Sequence, residues 1–186
     1  MTSILPLIET PRLVLRGAQP ADLRTLQEHW NAPLVRRFLF DDQPVDEALA
    51  ASVLGACLHA ASRGHGLWLL IERTSKEVLG CVALMRTSVA AEYESRLTGL
   101  LEPMVSLVPR RWGHGFATEC LSAALGYAFN TLQVHSVAAV NDVPNAASEK
   151  MLLRAGFSVL SEVDGPKYRM RTYVLLRRSW LERNDA

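Results

Sequence analysis

The feature that most constrains the fold is a segment in which a strand pattern runs through two glycines into a helix pattern. Residues 105–119 read Val-Ser-Leu-Val-Pro-Arg-Arg-Trp-Gly-His-Gly-Phe-Ala-Thr-Glu. Apolar residues then recur at helical spacing from about Gly115 to Phe129. A strand that passes directly into a helix requires helices packed on a sheet, which predicts an α+β or mixed α/β fold.

The rest of the chain alternates between strand and helix patterns. Helices are predicted at residues 20–31, near Pro33, at 44–62 and at 145–154, with Gly156 ending the last one. Strands are predicted at residues 12–16, 67–72, 78–86, 101–108, 134–140, 157–162 and 168–177. We therefore expect a single domain over residues 1–186, with a core of about 10–180. Its central mixed sheet is mostly antiparallel, has about seven strands and is flanked by helices.

Charge and hydropathy exclude several classes of partner. Twenty basic and nineteen acidic residues give a formal charge of +1, whereas nucleic-acid binders carry a basic excess. Residues 120–141 contain no charged side chain, but polar residues interrupt the run, so we divide it into a helix and a strand instead of a membrane span. The first residues lack a basic segment, so we expect no signal peptide. The expectation is a cytoplasmic protein that binds neither nucleic acid nor membrane.

The cysteines and histidines follow no disulfide or metal pattern. Cys57, Cys81 and Cys120 are odd in number and far apart, which indicates reduced thiols. The five histidines form no HxH, HExxH or HxxxH pair, so we expect no metal. Neither Cys81 nor Cys120 has a sequence neighbour that would activate a thiolate, so nothing points to a covalent intermediate.

The glycine turn has the properties of an anion site. Glycines allow a ligand to approach the backbone closely, and a helix N-terminus presents free N–H groups with partial positive charge. Residues 113–118 therefore suit a phosphate or pyrophosphate, with Arg110 and Arg111 adding charge, or else they form an ordinary turn. The GxxxxGK[ST] of a nucleotide P-loop is absent. The third glycine of a dinucleotide fingerprint is also absent, because Thr118 takes its place.

The segment Pro109–Glu119 resembles the acyl-CoA signature of the GNAT superfamily of N-acetyltransferases, although Trp112 takes the place of the usual Gln or Arg. Two further segments match in the family's order: the opening Glu9–Arg16, and Asn145–Ser148 followed by Arg154–Phe157. Together they most resemble the branch of ribosomal-protein N-terminal acetyltransferases (Rim-type). The resemblance implies a GNAT-like domain that moves an acetyl group from acetyl-CoA to a primary amine. That acceptor is a protein N-terminal α-amine, or a small amine such as an amino acid, polyamine or antibiotic.

The resemblance also implies where acetyl-CoA binds. The pantetheine arm is expected along the backbone of Val105, Ser106 and Leu107. The pyrophosphate is expected on the loop and helix start, formed by Gly113, His114, Gly115, Phe116, Ala117 and Thr118. Asn145 matches an asparagine that contacts the pantetheine, but an asparagine there equally suits the N-cap of the following helix.

The catalytic residues follow from the same resemblance. Glu102 occupies a place where many relatives carry a glutamate, and burial there would raise its pKa toward that of a general base. The alternative is a solvated residue ahead of Pro103. Ser148 matches a serine that protonates the leaving thiolate, or it is a first-turn residue that bonds the backbone. The tyrosine that serves as the acid in many relatives is replaced by Leu152.

Other polar residues of the motif are expected to play supporting roles. Glu119 complements the dipole of the helix that it begins. His114 lies in the phosphate loop, too far along the chain to serve the amine, whereas a backbone N–H near Leu107 polarises the thioester carbonyl. We expect direct transfer in a ternary complex by a monomer or homodimer. The competing interpretations are a non-catalytic acyl-CoA sensor, suggested by Leu152, and a nucleotide-binding module.

Overall fold

The structure is a computed structural model that describes residues 5–87 and 89–184. Within them eight strands form one sheet: β1 Ile8–Glu9, β2 Leu13–Gly17, β3 Leu67–Glu72, β4 Val78–Arg86, β5 Leu101–Leu107, β6 Ser136–Asp142, β7 Ser158–Asp164 and β8 Arg169–Leu176. Their order is β1-β2-β3-β4-β5-β6-β8-β7. The β5–β6 pair is parallel, whereas β1–β2, β2–β3, β3–β4, β6–β8 and β7–β8 are antiparallel. The predicted α+β class with a mostly antiparallel mixed sheet is confirmed.

The sheet has one strand more than the seven expected. The additional strand, β1, contains two residues, and its register pairs Ile8 with Leu15 and Glu9 with Val14. Two residues are too few to show the alternation of apolar and polar side chains by which a strand is predicted. The expectation that no signal peptide is present concerns residues 1–12, of which residues 1–4 lie outside the described residues.

Seven α-helices flank the sheet in the described part of the chain. They are α1 Leu23–Asn31, α2 Pro33–Leu39, α3 Glu47–Ala61, α4 Val89–Tyr93, α5 Phe116–Gly126, α6 Ala146–Ala155 and α7 Arg177–Asn184. The short helices α4 and α7 were not expected. In α7 the only buried residue is Trp180, so the sequence there has no apolar stripe that would predict a helix.

Local chemistry fixes two of the helix ends. Asp46 precedes α3, and its side chain accepts a hydrogen bond from the Leu49 amide at 2.7 Å, so the helix begins later than the predicted Pro44. Gly156 follows α6 with a φ of +97°, the left-handed conformation that ends helices, as predicted. The uncharged residues 120–141 divide between α5, a π-type turn at Tyr127–Thr131 and β6. Among the described residues no helix has the length and apolar character needed to cross a membrane.

The described residues pack into two compact units. The first unit contains residues 5–85 and 104–123, and its core packs α1 and α3 against β3 and β4. The second unit contains residues 86–103, apart from Ser88, and 124–184, and in it β8 pairs with both β6 and β7. The chain passes from the second unit to the first within β5. The predicted cosubstrate loop therefore belongs to the first unit.

Candidate active site

In the first unit, β5 ends in close contact with β4. The Val108 amide donates to the Leu79 carbonyl at 2.8 Å. Gly80 has a φ of +147°, and a Cβ there would lie 2.1 Å from the Ser106 carbonyl oxygen. Only glycine fits this approach, because any side chain would displace the main chain of β5. The backbone of Val105, Ser106 and Leu107 is thus held in place by its neighbour β4.

The loop after β5 turns sharply before α5 begins. The Trp112 indole N–H donates to the Leu107 carbonyl at 2.8 Å, which satisfies the last acceptor of the strand. Gly113 and Gly115 follow with φ angles of +77° and +82°, values that side-chain-bearing residues rarely adopt. Between them, His114 Nδ1 lies 2.8 Å from the Trp112 carbonyl, so the imidazole is engaged by the loop itself. The two predicted glycines are therefore required by the shape of the turn.

The turn leaves a run of backbone amides without partners. The first bond of α5 runs from the Glu119 amide to the Gly115 carbonyl, so the amides of Phe116, Ala117 and Thr118 have no acceptor in the helix. In the described part of the chain the amides of residues 113–115 also form no backbone hydrogen bond. Six consecutive N–H groups at the start of a helix form an anion-binding concavity. These six belong to the residues predicted to hold the pyrophosphate.

A cluster of three side chains joins this helix start to the beginning of β2. Arg12 Nε lies 2.6 Å from Glu119 Oε2, and its Nη1 donates to the His114 carbonyl at 2.9 Å. The Thr10 hydroxyl donates to Glu119 Oε1 at 2.6 Å. Arg12 also lies 4.3 Å from the centre of the buried Phe116 ring. These contacts fix the direction of the first turn of α5.

The electrostatics of Glu119 follow from this cluster. Desolvation raises the pKa of Glu119, but the hydrogen bonds from Thr10 and Arg12 outweigh it and hold that pKa below its usual value. Glu119 therefore stays ionised and serves chiefly as the partner of Arg12. Sequence reasoning missed this role because the paired residues are 107 positions apart. The resemblance of Glu9–Arg16 to the family opening was the available signal.

Arg110 and Arg111 both form ion pairs with carboxylates. Arg111 Nη2 lies 2.7 Å from Glu72 Oε2, and Arg110 Nη2 lies 3.3 Å from Glu77 Oε2. Both carboxylates belong to the hairpin of β3 and β4. Each of the two guanidinium groups expected beside the phosphate therefore already has a carboxylate partner. The anion site consists mainly of backbone donors.

The Ser106 side chain lies between a histidine and a cysteine. His29 Nε2 is 2.9 Å from Ser106 Oγ, and Cys81 Sγ is 3.3 Å from the same atom. Desolvation lowers the pKa of His29 to about 4, so the imidazole is neutral near pH 7. Burial raises the pKa of the Cys81 thiol, which is therefore not a thiolate at that pH. The sequence patterns contained no sign that these three residues meet.

Two cavities of the first unit lie beside this group. One of about 340 Å³ is lined by His29 together with charged groups, Glu28 and Arg110. The other, of about 180 Å³, is lined by Ser106 and by uncharged, mostly apolar side chains. Each cavity thus has one member of the His29–Ser106 hydrogen bond in its wall.

In the second unit, Glu102 has the electrostatics of a general base. Glu102 lies in β5, next to the single register pair that joins this strand to β6, Leu101 with Val137. Desolvation raises the pKa of Glu102 to about 7, although a hydrogen bond from the Val140 amide opposes the shift. A carboxyl with a pKa near the working pH can accept a proton and release it again.

Asn145 and Ser148 meet at the start of α6. Asn145 Oδ1 accepts a hydrogen bond from the Ser148 amide at 3.3 Å, which is the capping interaction expected for asparagine. Within the described residues, Asn145 Nδ2 and Ser148 Oγ form no hydrogen bond, so both can still bind a ligand. Leu152, at the position of the missing tyrosine, is 4% exposed and belongs to the core. Among residues 5–87 and 89–184 no group of three or more His, Cys, Asp or Glu side chains could hold a metal ion.

Comparison with known proteins identifies the family. The family model described as "Acetyltransferase (GNAT) domain" matches residues 12–158. YoaA, an uncharacterised N-acetyltransferase of Bacillus subtilis (strain 168), is 27% identical over 156 residues, which cover 83% of this chain and 84% of that protein.

Two solved structures from Vibrio cholerae share the fold. The spermidine N-acetyltransferase in complex with CoA and spermine has a TM-score of 0.74 and 18% identity, over 92% of this chain and 99% of that one. A protein assigned as a ribosomal-protein-serine acetyltransferase has a TM-score of 0.68 and 17% identity, over 95% of this chain and 99% of that one. At these identities the likeness concerns the fold. With the family model spanning residues 12–158, the chain belongs to the GNAT family of acetyltransferases.

Proposed function

We propose that the protein is an acetyl-CoA-dependent N-acetyltransferase that acetylates a primary amine by direct attack within a ternary complex. The observation that carries this proposal is the run of six amides from Gly113 to Thr118 that donate to no backbone acceptor in residues 5–87 and 89–184. Backbone donors at a helix N-terminus suit a pyrophosphate, which is the most highly charged linkage of CoA. The surface there is open, since a Cβ at Gly113 would meet no atom within 4 Å.

The pantetheine arm is assigned to the backbone of Val105, Ser106 and Leu107. One observation supports this assignment: Gly80 allows the β5 backbone at Ser106 to lie close to β4. We also assign Asn145 as a pantetheine contact, as the resemblance implies, because its Oδ1 caps α6 while its Nδ2 forms no hydrogen bond in the described residues.

The chemistry requires a neutral amine, a polarised thioester and a proton for the departing thiolate. The amine nitrogen attacks the acetyl carbonyl carbon, the new C–N bond forms, and the C–S bond breaks. Glu102 accepts the proton that the amine loses, which its pKa of about 7 favours. The Leu107 amide donates to the developing oxyanion. Ser148, whose hydroxyl has no hydrogen-bond partner in the described residues, gives its proton to the CoA thiolate and regains one from solvent, while Glu102 releases the amine proton to solvent.

Direct transfer, without an acyl-enzyme, is supported by the state of the cysteines. Cys57, Cys81 and Cys120 are buried and free. Desolvation raises the pKa of each thiol, so none is a nucleophilic thiolate at neutral pH. Intersecting double-reciprocal plots are expected in a two-substrate kinetic analysis. Parallel plots would instead require a covalent intermediate.

We further propose an α-amine acceptor, as in the Rim-type branch, in preference to a lysine side chain. An α-amine has a pKa of about 7.7–8.0, whereas a lysine amine has one of about 10.4, so far more of the α-amine is neutral at pH 7. Glu102 is the one general base that we assign, so an acceptor that is already partly neutral at pH 7 suits the site better. The test compares a peptide with a free N-terminus with its N-blocked, lysine-containing counterpart. Faster turnover of the blocked peptide would refute the preference.

We propose that residues 1–186 act as one N-acetyltransferase domain, with a core of about 10–180, as a monomer or homodimer in the cytoplasm. The match of the family model to residues 12–158 and the three free thiols support this assignment. Size-exclusion chromatography with light scattering determines the oligomeric state, and an assembly larger than a dimer would contradict the proposal.

The overall proposal is tested by thiol release from acetyl-CoA with a panel of amines, together with a melting-temperature series. Acetyl-CoA at 100 times its dissociation constant should stabilise the fold by about 2.7 kcal/mol. Gly115→Val should abolish this shift, because a side chain there blocks the approach of the ligand to the amides. Gly99→Val is the matched control, since Gly99 also has a positive φ, +77°, and a Cβ there would meet only Arg86 Nη1, at 4.0 Å. A shift that persists in Gly115→Val would remove the loop from the cosubstrate site.

A further inference from the structure

The smaller cavity of the first unit is lined by uncharged residues, whereas the larger cavity includes charged ones. It has a volume of about 180 Å³, and none of the residues that line it carries a charge. Its floor includes the buried residues Leu67 and Ala83, while Met104 at its edge is 40% exposed. Complete small-molecule sites enclose about 300–1,000 Å³, so this cavity is too small for a whole ligand. Apolar cavities of about 150 Å³ bind a single benzene ring.

The walls of this cavity are built to receive an apolar group. Trp30 and Phe40 form an aromatic side, with ring centroids 5.7 Å apart and planes tilted by 56°. Tilted arrangements of this kind are favourable for aromatic rings, and a third ring or a branched aliphatic group can add to them. Val53 of α3 closes another side. A cationic chain would lose its hydration here without gaining a carboxylate partner.

The cavity is continuous with the strand assigned to the thioester. Met104 and Ser106 both lie in its wall, and they flank Val105 in β5. The Ser106 hydroxyl is the only polar side-chain oxygen in the lining, and it is engaged by His29 at 2.9 Å. A group seated in the cavity therefore lies beside the part of β5 that would carry the acetyl group. The occupant is then a part of the acceptor, attached close to its amine.

We propose that this cavity is a specificity pocket for an uncharged apolar group of the acceptor, the size of one aromatic ring or a leucine side chain. The inference rests on the proposed function and names its substrate class. The acceptor is an amine whose neighbouring carbon carries an apolar side group, such as an apolar N-terminal residue. Polyamines are poor acceptors, because the pocket provides no negative charge.

The experiment compares four amines as acetyl acceptors: L-leucinamide, L-phenylalaninamide, glycinamide and spermidine. One methylene in an apolar pocket changes kcat/KM by about 10–200-fold. We therefore expect kcat/KM for leucinamide and phenylalaninamide to exceed that for glycinamide by at least about 10-fold. The kcat/KM for spermidine should be lower than that for leucinamide or phenylalaninamide. Equal values for all four amines, or the highest value for spermidine, would overturn the proposal.

Paired variants on α3 show whether the preference arises in this pocket. Val53→Phe fills the cavity and should reduce the ratio of leucinamide to glycinamide at least fivefold. Leu49→Phe is the matched control, because Leu49 lies one turn earlier, is 40% exposed and does not line the cavity. Met104→Glu, at an exposed edge position, should raise the relative rate with spermidine. Identical ratios in the Val53 and Leu49 variants would contradict the assignment.

A binding measurement keeps this proposal separate from the proposed function. Benzylamine is titrated into the CoA-bound protein by calorimetry, and binding should be lost in Val53→Phe but kept in Leu49→Phe. Suppose that acetyl-CoA binds and glycinamide is acetylated, but Val53→Phe leaves the affinity for benzylamine unchanged. In that case only the pocket assignment fails. If no amine releases thiol, the proposed function fails, and the benzylamine titration still decides whether the pocket accepts an apolar group.

Discussion

Replacing Glu102 by glutamine should stabilise the fold at alkaline pH while impairing catalysis. The folded-state pKa of Glu102 is raised to about 7 from the 4.5 of the free side chain, with desolvation as the main cause. A raised pKa means that the folded protein keeps this proton longer than the unfolded chain does. The stabilising effect of the protonated carboxyl is thus complete below pH 4.5 and is lost as the pH rises through 7.

The size of the effect follows from this shift in pKa. The difference between a pKa of 4.5 and one of about 7 corresponds to about 3 kcal/mol. Glutamine stays neutral at every pH, so Glu102→Gln should be about 3 kcal/mol more stable than the wild type at pH 8. The gain at pH 5 should be about 1 kcal/mol. For a chain of this length, the difference at pH 8 corresponds to a melting temperature about 6–12 °C higher.

The assay is denaturant and thermal unfolding of the wild type and Glu102→Gln at pH 5, 6, 7 and 8. Glu182→Gln is the matched control, because Glu182 is an exposed glutamate of the same unit in α7. The control should show the same pH dependence as the wild type. In parallel, kcat should rise with pH through about 7 in the wild type and lose that dependence in Glu102→Gln. Stability curves for Glu102→Gln that parallel the wild type would refute the reasoning.

Three further perturbations test the supports of the site. Arg12→Lys cannot bond Glu119 Oε2 and the His114 carbonyl at the same time, so it should weaken CoA binding about 10-fold, measured by calorimetry, with a stability loss of about 1 kcal/mol. Gly80→Ala places a Cβ 2.1 Å from the Ser106 oxygen and should cost about 1–3 kcal/mol in denaturant unfolding, whereas Gly80→Ser should cost no less. Asn145→Ala should lower the free energy of unfolding by about 0.5–2 kcal/mol. Asn145→Ser should restore that stability without restoring the affinity for CoA. Full recovery of affinity in the serine variant would reduce Asn145 to a helix cap.

The βα unit could be predicted because its determinants are local. The strand Leu101–Leu107, the two glycines and the helix from Phe116 follow one another along the chain, so periodicity and turn chemistry suffice to define them. The N-cap role of Asn145 could be predicted, as one of its two possible roles, for the same reason: a cap and its helix are neighbours in the sequence. The motif resemblance then supplied the chemistry that these patterns alone left undefined.

The remaining features depend on contacts between distant residues. Arg12 binds Glu119, and His29 binds Ser106, across 107 and 77 positions of the chain. The pairing of Arg111 with Glu72 likewise depends on where the hairpin of β3 and β4 lies. The short strand β1 gains its structure from pairing with β2, because two residues carry no pattern of their own. No periodicity reports such contacts, so only the folded structure reveals them.

The central claim is that the amides of residues 113–118 bind the pyrophosphate of CoA. The direct measurement is the ¹H–¹⁵N spectrum of labelled protein titrated with CoA, and in parallel with pantetheine, which lacks the pyrophosphate. We predict that CoA shifts the Gly113 and Gly115 amide protons downfield, as expected for donors to an anion, and that pantetheine leaves them unchanged. Saturable CoA binding that leaves these amide signals unmoved would contradict the account.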